Sequence, residues 1–161
     1  MPDMVRLDPQ GWRALRRLRL SALLDSPECF LSTHAKEAGF SAGQWRAEFV
    51  RGDWHVCAAG TAHVGLIGVT HEHDGPGSEQ YIEYLWVAPS YRRQGIASAM
   101  LATVLGHLRT AGTRTALLWI LDGNEAAMRL YQKAGFVPTG ISQPIESRPG
   151  RREEKMRLTL E

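Results

Sequence analysis

Two neighbouring arginines, Arg92 and Arg93, come directly before a predicted helix, in the segment Arg92-Arg93-Gln94-Gly95-Ile96-Ala97. The N-terminus of a helix presents unpaired backbone N–H groups and the positive end of the helix dipole, which together bind anions. Gly95 lets the backbone approach a bound group closely, and Ala97 is small for the same reason. The arginine side chains add positive charge for phosphate oxygens. The segment therefore predicts a pyrophosphate site, although a surface turn with solvated arginines is the alternative for this motif alone.

Other kinds of functional site find less support in the sequence. The anion segment lacks the Gly-Lys-Ser/Thr of a Walker loop and the three-glycine spacing of a dinucleotide-binding fingerprint. His71, Glu72 and His73 place two imidazoles near a predicted turn, but without a third ligand they favour a solvated strand end over a metal site or a substrate contact. The only two cysteines, Cys29 and Cys57, suit neither a disulfide framework nor a zinc site. We therefore expect no metal and two ordinary buried thiols.

The spacing of apolar residues predicts a mixed α/β sheet with helices on both sides. The predicted strands are Met4 to Leu7, Trp54 to Ala59, Val64 to Thr70, Tyr81 to Val87, Ala116 to Leu121, Phe136 to Thr139 and Lys155 to Leu160. The predicted helices begin at Asp8-Pro9 and at Ser41, and two more cover residues 96–109 and Asn124 to Ala134. Residues 81–121 thus form a βαβ unit with a right-handed crossover. A turn at Asp74-Gly75-Pro76-Gly77 and a mobile, polar loop from Gly140 to Glu154 complete the prediction.

Length and charge exclude several classes of function. The chain has 161 residues, which predicts one domain over residues 1–161. Its 19 basic and 17 acidic residues give a net charge of +2, too small an excess to favour a nucleic-acid binder. No apolar run is long enough for a transmembrane helix, and residues 1–6 lack a signal-peptide pattern. We therefore expect a cytoplasmic protein with no membrane or nucleic-acid partner.

A second motif, Asn124-x-x-Ala127-x-x-x-Tyr131-x-x-x-Gly135-Phe136, follows one strand after the anion segment. With Leu85-Trp86-Val87-Ala88-Pro89 and Arg92-x-x-Gly95-x-Ala97 in this order, the chain resembles the GNAT family of N-acetyltransferases over essentially its whole length. The resemblance implies an acyl-CoA N-acyltransferase fold of the α/β (α+β) class, with a mixed, mostly antiparallel central sheet of about six or seven strands flanked by helices. It also implies that the strand from Tyr81 to Val87 splays from its neighbour to admit a cofactor.

The resemblance further implies acetyl-CoA as the cosubstrate. Its pantetheine arm would lie between the splayed strands, and its pyrophosphate would lie on the anion segment. The implied cofactor-binding residues are Leu85, Trp86, Val87, Arg92, Arg93, Gln94, Gly95, Ile96, Ala97, Ser98, Asn124, Ala127 and Tyr131. Asn124 and Tyr131 are seven residues apart and so share one helix face, where Ala127 leaves room for a thin ligand.

Acetyl transfer from a thioester to an amine requires two proton movements. The attacking amine must be neutral, although a lysine-type amine has a pKa of about 10, and the leaving thiolate needs a proton donor. Tyr131 matches the family position of that acid, with an aromatic core residue as the alternative. Glu83, the only carboxylate inside its predicted strand, is the candidate base. Its alternative is an outward-facing strand residue, and a β-bulge would change its facing.

We therefore expect an N-acetyltransferase that moves an acetyl group from acetyl-CoA to a primary amine by direct attack in a ternary complex. The acceptor, a small molecule or a protein, stays unidentified. A non-catalytic acyl-CoA-binding sensor on the same fold is the alternative hypothesis, and a nucleic-acid modifier is a third. Arg148, Arg151 and Arg152 would recognise an acidic group of the acceptor or else remain solvated. Trp119 is expected in the core, and an apolar edge on the last strands would allow a homodimer.

Overall fold

The computed structural model of this chain describes residues 3–72, 75 and 77–161. The strands are β1 (Asp3–Arg6), β2 (Gly52–Ala59), β3 (Ala62–Thr70), β4 (Glu79–Val87), β5 (Thr115–Leu121), β6 (Val137–Pro144) and β7 (Arg152–Thr159). The α-helices are α1 (Trp12–Asp25), α2 (His34–Ala38), α3 (Ala42–Arg51), α4 (Ile96–Thr110) and α5 (Glu125–Lys133). Within these residues, no helix has both the length and the apolar character that crossing a bilayer requires.

The described strands form one sheet in the order β1-β2-β3-β4-β5-β7-β6. Every neighbouring pair is antiparallel except β4 and β5, which are parallel. The prediction of a mostly antiparallel sheet with one βαβ unit is confirmed. β4 and β5 pair only from Glu79↔Thr115 to Tyr81↔Leu117. Beyond that point they separate, so the predicted splay is present.

A β-bulge shapes the splayed part of β4. Leu66 pairs with Trp86, but Gly68 pairs with Glu83, so β4 has one extra residue in this stretch. Tyr84 has a φ of +55°, which an L side chain rarely adopts. A bulge of this kind bends the strand and re-aims its side chains. The sequence analysis left open whether a β-bulge changes the facing of Glu83, and the structure has one directly beside this residue.

Helices cover the two faces of the sheet with separate apolar clusters. On one face α4 buries a helical stripe of Ile96, Met100, Leu101, Val104, Leu105 and Leu108. On the other face α1 packs Leu15, Leu18 and Ala22 against Trp45 of α3 and the aromatic residues of β2 and β4. The predicted cap of α3 is confirmed, because Ser41 and Gln44 form a reciprocal capping box. Both clusters fix β4 from opposite sides.

One sequence prediction about a loop needs correction, and one short helix was missed. The predicted loop from Gly140 to Glu154 is strand at both ends, since β6 runs to Pro144 and β7 starts at Arg152. β6 is an edge strand with mostly exposed side chains, so it lacks the apolar alternation that marks a strand. The short helix α2 was not predicted. In the predicted turn at residues 74–77, Asp74 and Pro76 lie outside the described residues.

Candidate active site

A cavity of about 920 Å³ opens where β4 and β5 separate. One wall consists of β4 from Tyr81 to Val87, and the opposite wall consists of the end of β5 and the first turns of α5. The segment from Ser26 to Phe40, between α1 and α3, closes the third side. The sheet therefore creates the opening through its own splay, and helices on two sides supply the side chains that line it.

The N-terminus of α4 presents free backbone donors, as the sequence predicts. The helix's first backbone bond runs from Ala99 N–H to the carbonyl of Gly95 at 3.0 Å, so the three N–H groups before Ala99 precede the helical ladder. Gly95 has a φ of +77° and Arg93 a φ of +63°, which turn the chain sharply into the helix. The side chains of Gln94 and Ser98 are exposed, whereas Ile96 is buried in the core. Ile96 can therefore contact a ligand there only through its backbone.

Arg92 has protein partners in this structure. Its Nε donates a hydrogen bond to the carbonyl of Val87 at 2.9 Å, and its guanidinium is paired with the carboxylate of Asp25. The same carboxylate accepts a bond from Trp86 Nε1 at 3.0 Å. The Trp86 hydrogen bond, together with the Arg92 contact, lowers the pKa of Asp25 below its usual range. These contacts tie α1 to the end of β4, and they leave exposed Arg93 as the arginine without such a partner among the described residues.

Tyr131 and Asn124 lie on the α5 wall of the cavity, as predicted from their spacing. Tyr131 is only 9% exposed, and its ring packs edge-to-face on Phe136 with centroids 5.6 Å apart. Burial raises the pKa of the Tyr131 hydroxyl above its ordinary value. Asn124 caps α5, because its Oδ1 accepts the N–H of Ala127 at 3.3 Å. Both residues therefore line the cavity from the same helix.

Glu83 lines the cavity from β4 but is held by two partners. Its Oε1 is paired with the guanidinium of Arg51, and its Oε2 accepts a bond from Thr70 Oγ1 at 3.2 Å. Because of the bulge, Leu85 packs against the α4 face of the sheet, whereas Glu83 reaches Arg51 on the α3 side. The carboxylate that the sequence selects as a base is therefore part of an ion pair.

A buried cluster of one arginine and two carboxylates in the cavity lining was not predicted from the sequence. Arg19 is 3% exposed, and its guanidinium contacts Glu37 at 2.9 Å and Glu48 at 3.1 Å. The hydroxyl of Tyr84 donates to the second oxygen of Glu37 at 2.5 Å. Burial alone would raise the pKa of Glu37, but the hydrogen bond and charge of Arg19 outweigh it and lower that pKa. Arg19 lies on the apolar stripe of α1, one turn after Leu15. An arginine on an apolar stripe was the sequence signal that could have indicated a buried ion pair.

The remaining candidate residues lie in different places from those predicted. Trp119 is half-buried and lines the cavity, so the prediction that it belongs to the core was wrong. Arg148 donates to the carbonyls of Pro27, Glu28 and Phe30 and so ties the β6–β7 loop to the segment after α1.

Arg151 pairs with Asp122 at 2.6 Å, and Arg152 donates to Ser142. His71 and Glu72 are exposed, while His73 lies outside the described residues. Within residues 3–72, 75 and 77–161, no three His, Cys, Asp or Glu side chains cluster as metal ligands would.

Comparison with known sequences points to one family. Residues 16–136 match the family described as acetyltransferase (GNAT) family. A mycothiol acetyltransferase of Nocardiopsis dassonvillei is 29% identical, over 84% of this chain and 41% of its own length. Human N-acetyltransferase 8 is 37% identical over 49% of this chain and 36% of its own length. The chain thus spans less than half the length of these curated relatives.

Solved structures share the fold at low sequence identity. An N-acetyltransferase from Staphylococcus aureus Mu50 gives a TM-score of 0.81 with 17% identity, covering 100% of this chain and 99% of that one. The yncA protein of Salmonella typhimurium, solved with its cofactor acetyl-CoA, gives 0.79 with 15% identity, covering 100% and 95%. These likenesses concern the fold alone, and they confirm the predicted architecture.

Proposed function

Because this chain belongs to the GNAT family of acetyltransferases, we propose that it transfers an acetyl group from acetyl-CoA to a primary amine by direct attack in a ternary complex. The observation that carries this proposal is the cavity between β4 and β5, which Tyr131 and Glu83 line from facing walls. The acceptor is a small molecule or a protein amino group. Residues 1–161 would act as one domain, and two copies could pair through the exposed edge strand β6.

The fit of acetyl-CoA rests on the free donors of α4. The N–H groups of residues 96–98 and the side chain of Arg93 would bind the pyrophosphate, since a helix N-terminus suits an anion. Arg92 would act mainly by fixing the end of β4 through Val87 and Asp25. The pantetheine arm would then follow β4 past Leu85 and Asn124 into the cavity. Acetyl-CoA supplies the activated acetyl group, and this chain supplies its orientation.

The two proton movements are assigned to residues that face the same cavity. Burial raises the pKa of Tyr131, so its hydroxyl stays protonated at neutral pH and can donate to the departing thiolate. Glu83 would accept the amine proton, directly or through a water molecule. Its pairing with Arg51 makes the water-mediated route the more suitable one, because the oxygens of Glu83 are already engaged. Direct attack requires no covalent intermediate on Cys29 or Cys57.

Acetyl-CoA is expected to bind the purified protein with a measurable heat, and Arg93→Ala is expected to weaken that binding about 3- to 10-fold. One exposed charge-assisted contact to phosphate is worth roughly 1 kcal/mol after solvent screening. Isothermal calorimetry checks both values. Arg109→Ala removes an exposed arginine at the opposite end of α4 and should leave the affinity unchanged.

The transferase proposal itself is tested by thiol release from acetyl-CoA with a panel of primary amines. Absence of acetyl-CoA binding would overturn both the cofactor assignment and the activity. Binding without thiol release from any amine would instead favour the sensor hypothesis.

Glu83→Gln is expected to lower kcat about 10- to 100-fold at saturating acetyl-CoA. This lies at or below the lower limit of the usual contribution of a general base, because water can replace part of its role. The affinity for acetyl-CoA should stay within about twofold. Steady-state kinetics and calorimetry measure the two quantities. Thr70→Val, which removes one hydrogen bond to Glu83 and keeps its carboxylate, is the matched control. Equal effects of the two variants would assign Glu83 a structural role only.

A further inference from the structure

Glu153 is a buried carboxylate of the cavity with a free oxygen. It lies on β7 opposite Leu121, the last residue of β5, and lines the cavity although its side chain is only 6% exposed. Its Oε1 accepts the amide of Gln143 at 2.6 Å. Its Oε2 is buried and has no hydrogen-bond partner among the described residues. Buried polar atoms are almost always paired, so an orphaned one calls for an explanation such as a ligand.

The other carboxylates of the cavity do not share this property. Glu37 and Glu83 each have one oxygen bound by an arginine and the other by a hydroxyl group. Glu48 has each oxygen bound by a different arginine. Glu28 is exposed to solvent. Among the described cavity residues, Glu153 is therefore the buried carboxylate that retains an acceptor for an incoming donor.

Glu153 forms no ion pair with a basic side chain among the described residues. Lys155, two residues along the same strand, has its ammonium 5.4 Å from the ring of Tyr81 and 5.8 Å from that of Trp119, and it forms no ion pair with Glu153 in the described part of the chain. Arg152 donates instead to Ser142 at 3.0 Å. The free oxygen of Glu153 thus suits a cationic hydrogen-bond donor, since such a bond is stronger than a neutral one.

We propose that Glu153 binds a second positive charge on the acceptor, so that the preferred acceptors are amines carrying another cationic group, such as diamines. This rests on the proposed acetyltransferase function. The attacking amine itself must lose its proton, and a nearby free carboxylate would hold it in the charged form. Glu153 on β7 and Glu83 on β4 are separated by β5 and by the gap where β4 and β5 part, so they lie farther apart than the roughly 10 Å of two regular strand spacings. A short diamine would bridge them with one nitrogen at Glu153 and the attacking nitrogen reached from Glu83 through a water molecule.

The test uses three acceptors that share a four-carbon chain, with the wild-type protein and acetyl-CoA: 1,4-diaminobutane, 1-aminobutane and 4-aminobutanoate. We expect kcat/KM for the diamine to exceed that for each of the others at least tenfold. In Glu153→Gln this preference should fall to within about twofold because KM for the diamine rises. KM for acetyl-CoA should stay unchanged. The amide keeps an oxygen for the Gln143 bond, so the fold should persist. Glu153→Asp should retain part of the preference.

Glu154→Gln is the matched control, because Glu154 is adjacent, of equal charge and absent from the lining of the large cavity. It should keep the full preference. Acetylation of the three amines without a diamine preference, or a preference retained in Glu153→Gln, would overturn this assignment and leave the transferase function intact. Acetyl-CoA binding with no turnover of these three amines would also overturn it. If Glu153→Gln fails to fold, the wild-type preference and the Glu153→Asp variant still decide the question.

Discussion

Replacing Tyr131 with phenylalanine is expected to lower kcat about 10²- to 10³-fold while changing the affinity for acetyl-CoA less than about twofold. The reason is that the substitution removes one hydroxyl, the proposed donor to the leaving thiolate, from a side chain that is otherwise buried against Phe136. The ring and its packing remain, so the cavity keeps its shape. Steady-state kinetics with saturating amine gives kcat, and calorimetry gives the acetyl-CoA affinity.

The raised pKa of Tyr131 sets the expected pH dependence of kcat, and a control variant separates the catalytic role from a structural one. Burial raises the pKa of Tyr131 above the ordinary 10.0, so the hydroxyl stays protonated up to at least that pH. Loss of the Tyr131 proton should therefore cause no fall in wild-type kcat below about pH 10. Tyr91→Phe removes the hydroxyl of a half-buried tyrosine that does not line the cavity, and it is the matched control. If Tyr131→Phe leaves kcat unchanged, or lowers it only as much as the control, Tyr131 is not the acid.

The geometry of the helix entrance before α4 and of the α5 wall could be predicted because local sequence determines it. A glycine with positive φ before a helix, as at Gly95, creates free N–H groups whatever surrounds it. The resemblance to the family singles out Tyr131 and Asn124, and helical spacing places residues seven apart on one face. The parallel pair β4 and β5 likewise follows from strand, helix and strand in succession. Each of these features depends on a few neighbouring residues.

The buried carboxylates of the cavity could not be predicted because distant segments bring them there. Glu153 reaches the cavity only through the pairing of β7 with β5, and it stands in the run Arg152-Glu153-Glu154-Lys155, which has no alternation of apolar residues. Glu37 lies on a five-residue helix that no periodic pattern marks. Its partner Arg19 is 18 positions away and pairs with it only because α1 and α2 pack together. Charged residues of this kind resemble solvated ones until the packing is known.

Replacing Arg19 with methionine is expected to lower the free energy of unfolding by about 3–5 kcal/mol at neutral pH. Removing one partner of a buried ion pair leaves the other charge without compensation, and this costs far more than the pair itself contributes. Here Glu37, 1% exposed, would keep the hydroxyl of Tyr84 as its one side-chain hydrogen bond among the described residues. Urea unfolding measures the change. Arg13→Met, an exposed arginine of the same helix, should change it by less than about 1 kcal/mol.

The loss should shrink as the pH is lowered. In the wild type, Arg19 lowers the pKa of Glu37, so the stability from this pair is present above the unfolded pKa and is lost as the pH falls through the folded one. Without Arg19, burial raises the pKa of Glu37, so the variant regains stability as the pH falls and the carboxyl is protonated. The two unfolding free energies should therefore converge between about pH 7 and pH 4. A difference that stays constant over this range would show that lost packing, and not the uncompensated Glu37 charge, causes the destabilisation.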